Sequence, residues 1–231
     1  MLPGAGEGRM LSTFSSLAFF ALAGAISTVP VSVTILILLS PDPRRGALPF
    51  LTGSLAGSIV VVGLSAVGLQ FLPVRPPRLH KDEWVAQIAI VTGALLIAYA
   101  VYLFVSKGGR DNAMLGNMKS RFRAARPWEF LVLGLGLNLR PKAILLAVTA
   151  GAVISVQELP PLPGSLLVLA YAAVVQSAVI IPVAVWLRSP ERAQVPLTAL
   201  FNWLQRHGRR IAAIATLAIG IFLVGYSLLQ L

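Results

Sequence analysis

From Leu48 to Leu72 the chain carries no charged side chain, and most of that run is apolar. A helix needs about 20 such residues to cross a hydrocarbon core of about 30 Å. Inside lipid the backbone must satisfy its own hydrogen bonds, which leaves helices and closed barrels as the only spanning forms. Further runs read the same way: Leu11–Leu39, Trp84–Ser106, Trp128–Ile154, Pro163–Leu187 and Ile211–Leu231. Glu129 is the one acidic residue among them. The chain is 57% hydrophobic and 12% charged, where soluble domains carry about a quarter charged residues. A soluble enzyme and a disordered tail are both excluded. The expected fold is an all-α integral membrane protein of six transmembrane helices in one compact bundle.

Residues 1–10 read as a Gly-rich N-terminal leader, with Met10 as an alternative start to Met1. Ala21-Leu22-Ala23 has the small residues of a signal-peptide cleavage site. The apolar run continues to Leu39, however, so this first span is expected to be retained.

The 19 Lys and Arg residues outweigh 8 Asp and Glu, giving a net charge of +11. Nucleic-acid-binding chains cluster their cations on a solvated face. Here the cations fall between apolar runs, which excludes a nucleic-acid partner and makes membrane lipids the expected one. Loops 40–47, 107–127 and 188–210 hold 2, 6 and 5 basic residues. The N-terminus, loop 73–83, loop 155–162 and the C-terminus hold 1, 3, 0 and 0. Basic loops stay in the cytoplasm, so a multi-pass protein of the plasma membrane with both termini extracytoplasmic is expected. Met114, Met118 and Phe122, and again Leu197, Leu200, Phe201 and Leu204, recur at helical spacing beside Arg and Lys. Each set reads as a short amphipathic helix on the anionic leaflet.

Charge is expensive at only one place. Asn138-Leu139-Arg140-Pro141-Lys142 lies inside the fourth span, with Arg140 about 18 Å beyond Trp128 along a helix. Two central cations cost about 5–7 kcal/mol, against about 4–8 kcal/mol returned by the Leu, Ile, Val and Phe residues of that span. The helix is marginal alone and needs neighbours or a wet cavity. On a continuous helix Arg140 and Lys142, two residues apart, face different sides. Pro141 removes one backbone bond and crowds the Leu137 carbonyl; broken spans of this kind expose backbone to substrate near the midplane of transporters.

The first span matches in kind. Pro30 follows Ser27 as Pro141 follows Asn138. Residues 11–106 and 128–231 then form two three-helix repeats around the basic loop 107–127. An odd number of spans per repeat inverts one against the other. Substrate-binding candidates are Asn138, Arg140, Lys142, Ser27 and Gln176, with Pro30 and Pro141 as helix kinks. Gln176, Ser177 and Pro182 equally fit ordinary packing. Gly53 and Gly57 make a small-residue helix-packing face, and Gly134, Gly136, Gly220 and Gly225 read likewise.

The chain has no cysteine, and its histidines, His80 and His207, lie in separate loops. No metal site, cofactor, nucleotide-binding motif or catalytic residue is expected, and so no enzyme. Association between copies is left open.

Val29-Pro30-Val31-Ser32-Val33, Leu38 to Ala47 with its Ser40-Pro41-Asp42-Pro43-Arg44-Arg45, and Phe50 to Gly57 resemble the GAP family. These are the actinobacterial peptidoglycolipid-addressing (Sap-like, sulfolipid-addressing) proteins of the lysine-exporter (LysE) superfamily. The stretch Asn138 to Ala143 is similar to the superfamily's Asn-Pro-Lys signature, with Leu139 and Arg140 inserted. The resemblance implies a six-helix exporter linked to moving glycolipids toward the cell surface. The expected function is export of an anionic or amphipathic substrate. Export of small amino acids or ions, or a non-transporting scaffold for lipid synthesis, are the alternatives.

Overall fold

The computed structural model describes residues 17–18, 20–71, 81–105, 122, 125–157 and 160–228. The leader, His80 and most of loop 107–127, including Met114 and Met118, lie outside them. Helices make up nearly all of the described chain, and no strand occurs among the described residues.

Helical residues 20–25 lead into α1 (Thr28–Leu38), followed by α2 (Pro43–Phe71) and α3 (Lys81–Val105). Then come α4 (Pro127–Leu137), α5 (Pro141–Val156), α6 (Pro161–Val175), α7 (Ser177–Arg188) and α8 (Pro190–Leu228). Many of these helices begin on a proline, whose missing N–H costs nothing in a first turn and whose φ suits one. Glu129, the acid in an otherwise uncharged run, has a local task. Its side chain accepts from the Arg126 amide at 3.3 Å and so satisfies a backbone donor at the start of α4.

Three stretches, Pro43–Gly68, Gln87–Val105 and Pro190–Gly225, are each long and apolar enough to cross a membrane. Two bent pairs, α4 with α5 (64°) and α6 with α7 (65°), pass together, which brings the candidate spans to as many as five. The expected first span breaks after residue 25. Its α1 segment has 11 residues, about 17 Å of helix.

The apolar side chains form two cores rather than one. The first joins Phe20, Ala23, Val62, Leu96, Val153, Val168 and Leu223. The second joins Ile35, Ile37, Phe50, Phe130, Val183, Trp186 and Leu197. The turns at 39–42, 125–126 and 189, with Arg44, Arg45, Arg126, Arg188 and Arg192 beside them, adjoin the second core. Small residues bring the helices together. A side chain at Gly134 would collide with the Phe50 carbonyl, and one at Gly53 with the Leu131 carbonyl. Gly151 meets Ala66 further along the same direction, so α2 runs parallel to α4 and α5. Gly93 and Gly220 oppose each other, and Arg209 donates through Nε and Nη2 to the Leu103 carbonyl at 2.9 and 2.6 Å. These contacts make α3 and α8 antiparallel. A Cβ added at Gly136 or Gly225 would have nothing within 4 Å, which removes both from the packing set.

The segment around Leu197–Leu204 also departs from expectation. It is not a separate surface helix but the start of α8, a continuous helix of 39 residues containing Pro196. Leu197 and Leu204 are buried in the second core and Phe201 packs on it, while Trp203 stays exposed. The apolar stripe covers the protein rather than a leaflet.

Candidate functional site

Three helix interruptions meet between the two cores. In the first span the chain leaves helix at Ile26 and Ser27, where Ser27 is extended at φ −135° and ψ 114°. Pro30 accounts for this break, because a continuous helix would need a Pro30 N–H for the Ile26 carbonyl. In the fourth span Asn138, Leu139 and Arg140 interrupt the helix. Arg140 is extended at φ −73° and ψ 147°, the conformation that a following proline imposes. The third interruption is Gln176, between α6 and α7, where no proline stands close.

Polar side chains knit these interruptions to α2. Asn138 Nδ2 donates to the Ser54 carbonyl at 3.0 Å and to the Gly134 carbonyl at 3.1 Å. Gln176 Nε2 donates to Asn138 Oδ1 and to the Ser54 carbonyl, both at 3.0 Å. Ser54 Oγ returns a bond to Gln176 Oε1 at 2.9 Å. All three residues are buried. An unpaired amide in such surroundings costs several kcal/mol, and this arrangement avoids the penalty. No sealed side-chain polar atom among the described residues lacks a partner. Lys142 Nζ reaches across to the Ile26 carbonyl at 2.8 Å, the oxygen that Pro30 leaves without a helical donor.

A cavity of about 60 Å³ sits among these groups. Its wall includes Ser27, Pro30, Asn138, Arg140, Lys142 and Gln176. All five expected binding residues therefore reach one site, with one of the two kink prolines. Arg140 and Lys142 do not face apart. Arg140 precedes the first turn of α5 as its N-cap, so the angular separation of a continuous helix does not apply. Pro30 and Pro141 differ in placement: Pro141 opens α5, whereas Pro30 is the third residue of α1. Gly57 packs where expected, and a Cβ there would come within 2.8 Å of Asn138 Nδ2. Ser54 and Tyr171, also on the wall, were not legible as site residues. Ser54 is embedded in a small-residue packing motif, and Tyr171 is a lone aromatic in an apolar run.

The two charged side chains on the described wall, Arg140 and Lys142, are both cations. Ser27, Arg140 and Gln176 are the N-caps of α1, α5 and α7, and none makes a side-chain capping bond. Three helix N-termini, each carrying partial positive charge, thus adjoin a cavity whose wall holds two cations and, among the described residues, no acidic one. The opposing carbonyl ends are partly covered: Gly134 by Asn138, and Ile26 by Lys142. Among the described residues no group of three potential metal ligands exists.

No curated protein and no solved structure is detectably similar to the chain. A family model described as Sap, sulfolipid-1-addressing protein, matches residues 17–228. That match takes in all three helix interruptions, both cores and the basic turns, and the chain belongs to the sulfolipid-1-addressing protein family.

Proposed function

We propose that this protein is a non-enzymatic membrane transporter that exports an anionic amphiphile, a sulfated glycolipid or a close chemical relative, toward the cell surface. The observation that carries this reading is the convergence of Arg140, Lys142 and three uncapped helix N-termini on one cavity with no acid among the described residues that line it. Such a wall attracts an oxyanion and repels a cation, which argues against metal or amine export. The family's sulfolipid link supplies the lipid class.

The cavity volume of about 60 Å³ is room for a few waters and far below the few hundred Å³ of ordinary ligand sites. The described conformation is accordingly a closed one. A headgroup enters when the interruptions open, while its acyl chains remain in lipid.

Two features support six spans in inverted repeats, as in the lysine-exporter superfamily that the Asn138–Ala143 stretch resembles. Exchanging each span of the first half with its counterpart turns the α1–α8 packing into α5–α3 packing, and both pairs exist. The same exchange turns α1 on α7 into α4 and α5 on α2, which also exist. The basic turns grouped at one core support a plasma-membrane topology with both termini outside.

The test is export of sulfated and other anionic lipids by a deletion strain complemented with wild type, Arg140→Ala or Lys142→Ala. Surface lipid restored by wild type and lost in both variants at equal expression is expected. Full restoration by both variants would reject the site. A scaffold would instead tolerate both changes and fail when the basic loops are neutralised.

A further inference from the structure

We propose that Tyr171 is a third headgroup-binding residue, whose phenolic hydroxyl donates to an oxygen of the anion held by Arg140 and Lys142. The proposal rests on the cavity being the headgroup site, and it adds a residue that reads the geometry of the anion.

Tyr171 lies on α6, its ring packed in the first core beside Leu146, Ala147 and Val168. The residue is 5% exposed and yet lines the cavity. Its hydroxyl makes no hydrogen bond to any described residue, although every sealed polar side-chain atom among them has a partner. The hydroxyl is therefore not sealed in the core, and the cavity is the space that Tyr171 lines. Buried tyrosines ordinarily satisfy the hydroxyl within the protein. Phenylalanine would fill the same slot without leaving a polar group to satisfy. A donor kept open on a cationic wall is suited to a ligand that brings an acceptor.

The three donors differ usefully. Arg140 offers a planar fork and Lys142 a point charge. A carboxylate, with two oxygens in one plane, is satisfied by such a pair. A sulfate or phosphate ester presents further oxygens out of that plane, and the neutral Tyr171 hydroxyl can serve one of them. Sites built to bond a particular group discriminate strongly against ligands lacking it. Tyr171 thus acts as a selectivity residue for tetrahedral oxyanions over carboxylates.

The experiment measures equilibrium binding of radiolabelled decyl sulfate and of decanoate to the full chain in nanodiscs of neutral lipid. Wild type is compared with Tyr171→Phe, Lys142→Ala and, as control, Tyr102→Phe on the exposed surface of α3. Tyr171→Phe is expected to weaken decyl sulfate about tenfold, the worth of one hydrogen bond to a charged group. Decanoate affinity should change less than about threefold, and Tyr102→Phe should match wild type. If Tyr171→Phe leaves decyl sulfate unchanged while Lys142→Ala abolishes it, the role of Tyr171 is overturned and the headgroup site stands. Equal weakening of both ligands overturns the selectivity. Wild-type binding by both Tyr171→Phe and Lys142→Ala removes the headgroup site and Tyr171 with it.

Discussion

The ammonium of Lys142 donates to the main-chain oxygen of Ile26 at 2.8 Å, and Pro30 is why that oxygen is available. The proline ring has no N–H to return four residues along the first span. A cation from one half of the chain occupies the vacancy in the other.

Removing the proline should therefore weaken the dependence on the cation. Lys142→Met alone strands the Ile26 carbonyl, at a cost of about 1–3 kcal/mol. In a Pro30→Ala background the helix can close through Ser27 and give that carbonyl a backbone donor, and the same change should cost less. Thermal unfolding of the four proteins in mild detergent measures the coupling; strictly additive effects would break the link between these residues.

The amide network around Ser54 predicts a second coupling. Gln176→Leu leaves Asn138 Oδ1 and Ser54 Oγ without their partners and should destabilise by about 1–3 kcal/mol. Adding Asn138→Leu removes orphaned groups as well as bonds, so the double variant should lose less than the sum of the singles. Denaturation in detergent decides it, and a double loss equal to the sum would mean that the two amides act independently.

Glycines separate into tight and open positions. Gly134→Val and Gly53→Val drive side chains into neighbouring backbone and should cost at least about 1–3 kcal/mol, or prevent assembly. Gly136→Ala and Gly225→Ala enter open space and should be neutral or slightly stabilising, since alanine favours helix. Folded yield by size-exclusion chromatography distinguishes the sets, and equal losses at Gly136 and Gly134 would contradict this packing.

Orientation is accessible to labelling because the chain has no cysteine of its own. Asp42→Cys in the basic turn should react with a membrane-impermeant maleimide only after cells are opened. Gln157→Cys, at the other end of the bundle, should react in intact cells. Labelling of both sites from the same side would overturn the proposed topology.

Much of this site was readable from covalent chemistry. Pro30 and Pro141 carry their consequences in their rings, and cations in an apolar run must find company, so the first and fourth spans announced their interruptions. Gln176 did not, because its break depends on a side chain drawn sideways to Ser54 and Asn138, contacts distant in sequence. Tyr171 was hidden for a related reason: the direction of one aromatic in an apolar helix is set by its neighbours. The continuity of α8 was masked by Pro196 and the arginines, which look like a loop until Leu197 and Leu204 are seen buried in the second core.

The interruptions also divide the mechanical labour. α2 and α8 pass from one core to the other as unbroken rods, and α3 is an unbroken helix of the first core, while the remaining helical path is jointed at one level. Tilting the jointed segments against the rods need not re-sort either apolar block. The resistance to such tilting is concentrated in the few bonds made by Lys142, Asn138, Gln176 and Ser54. Under the proposed export function, the side chains that hold the molecule shut would be the ones the cargo meets, and loading and unlocking would become one event.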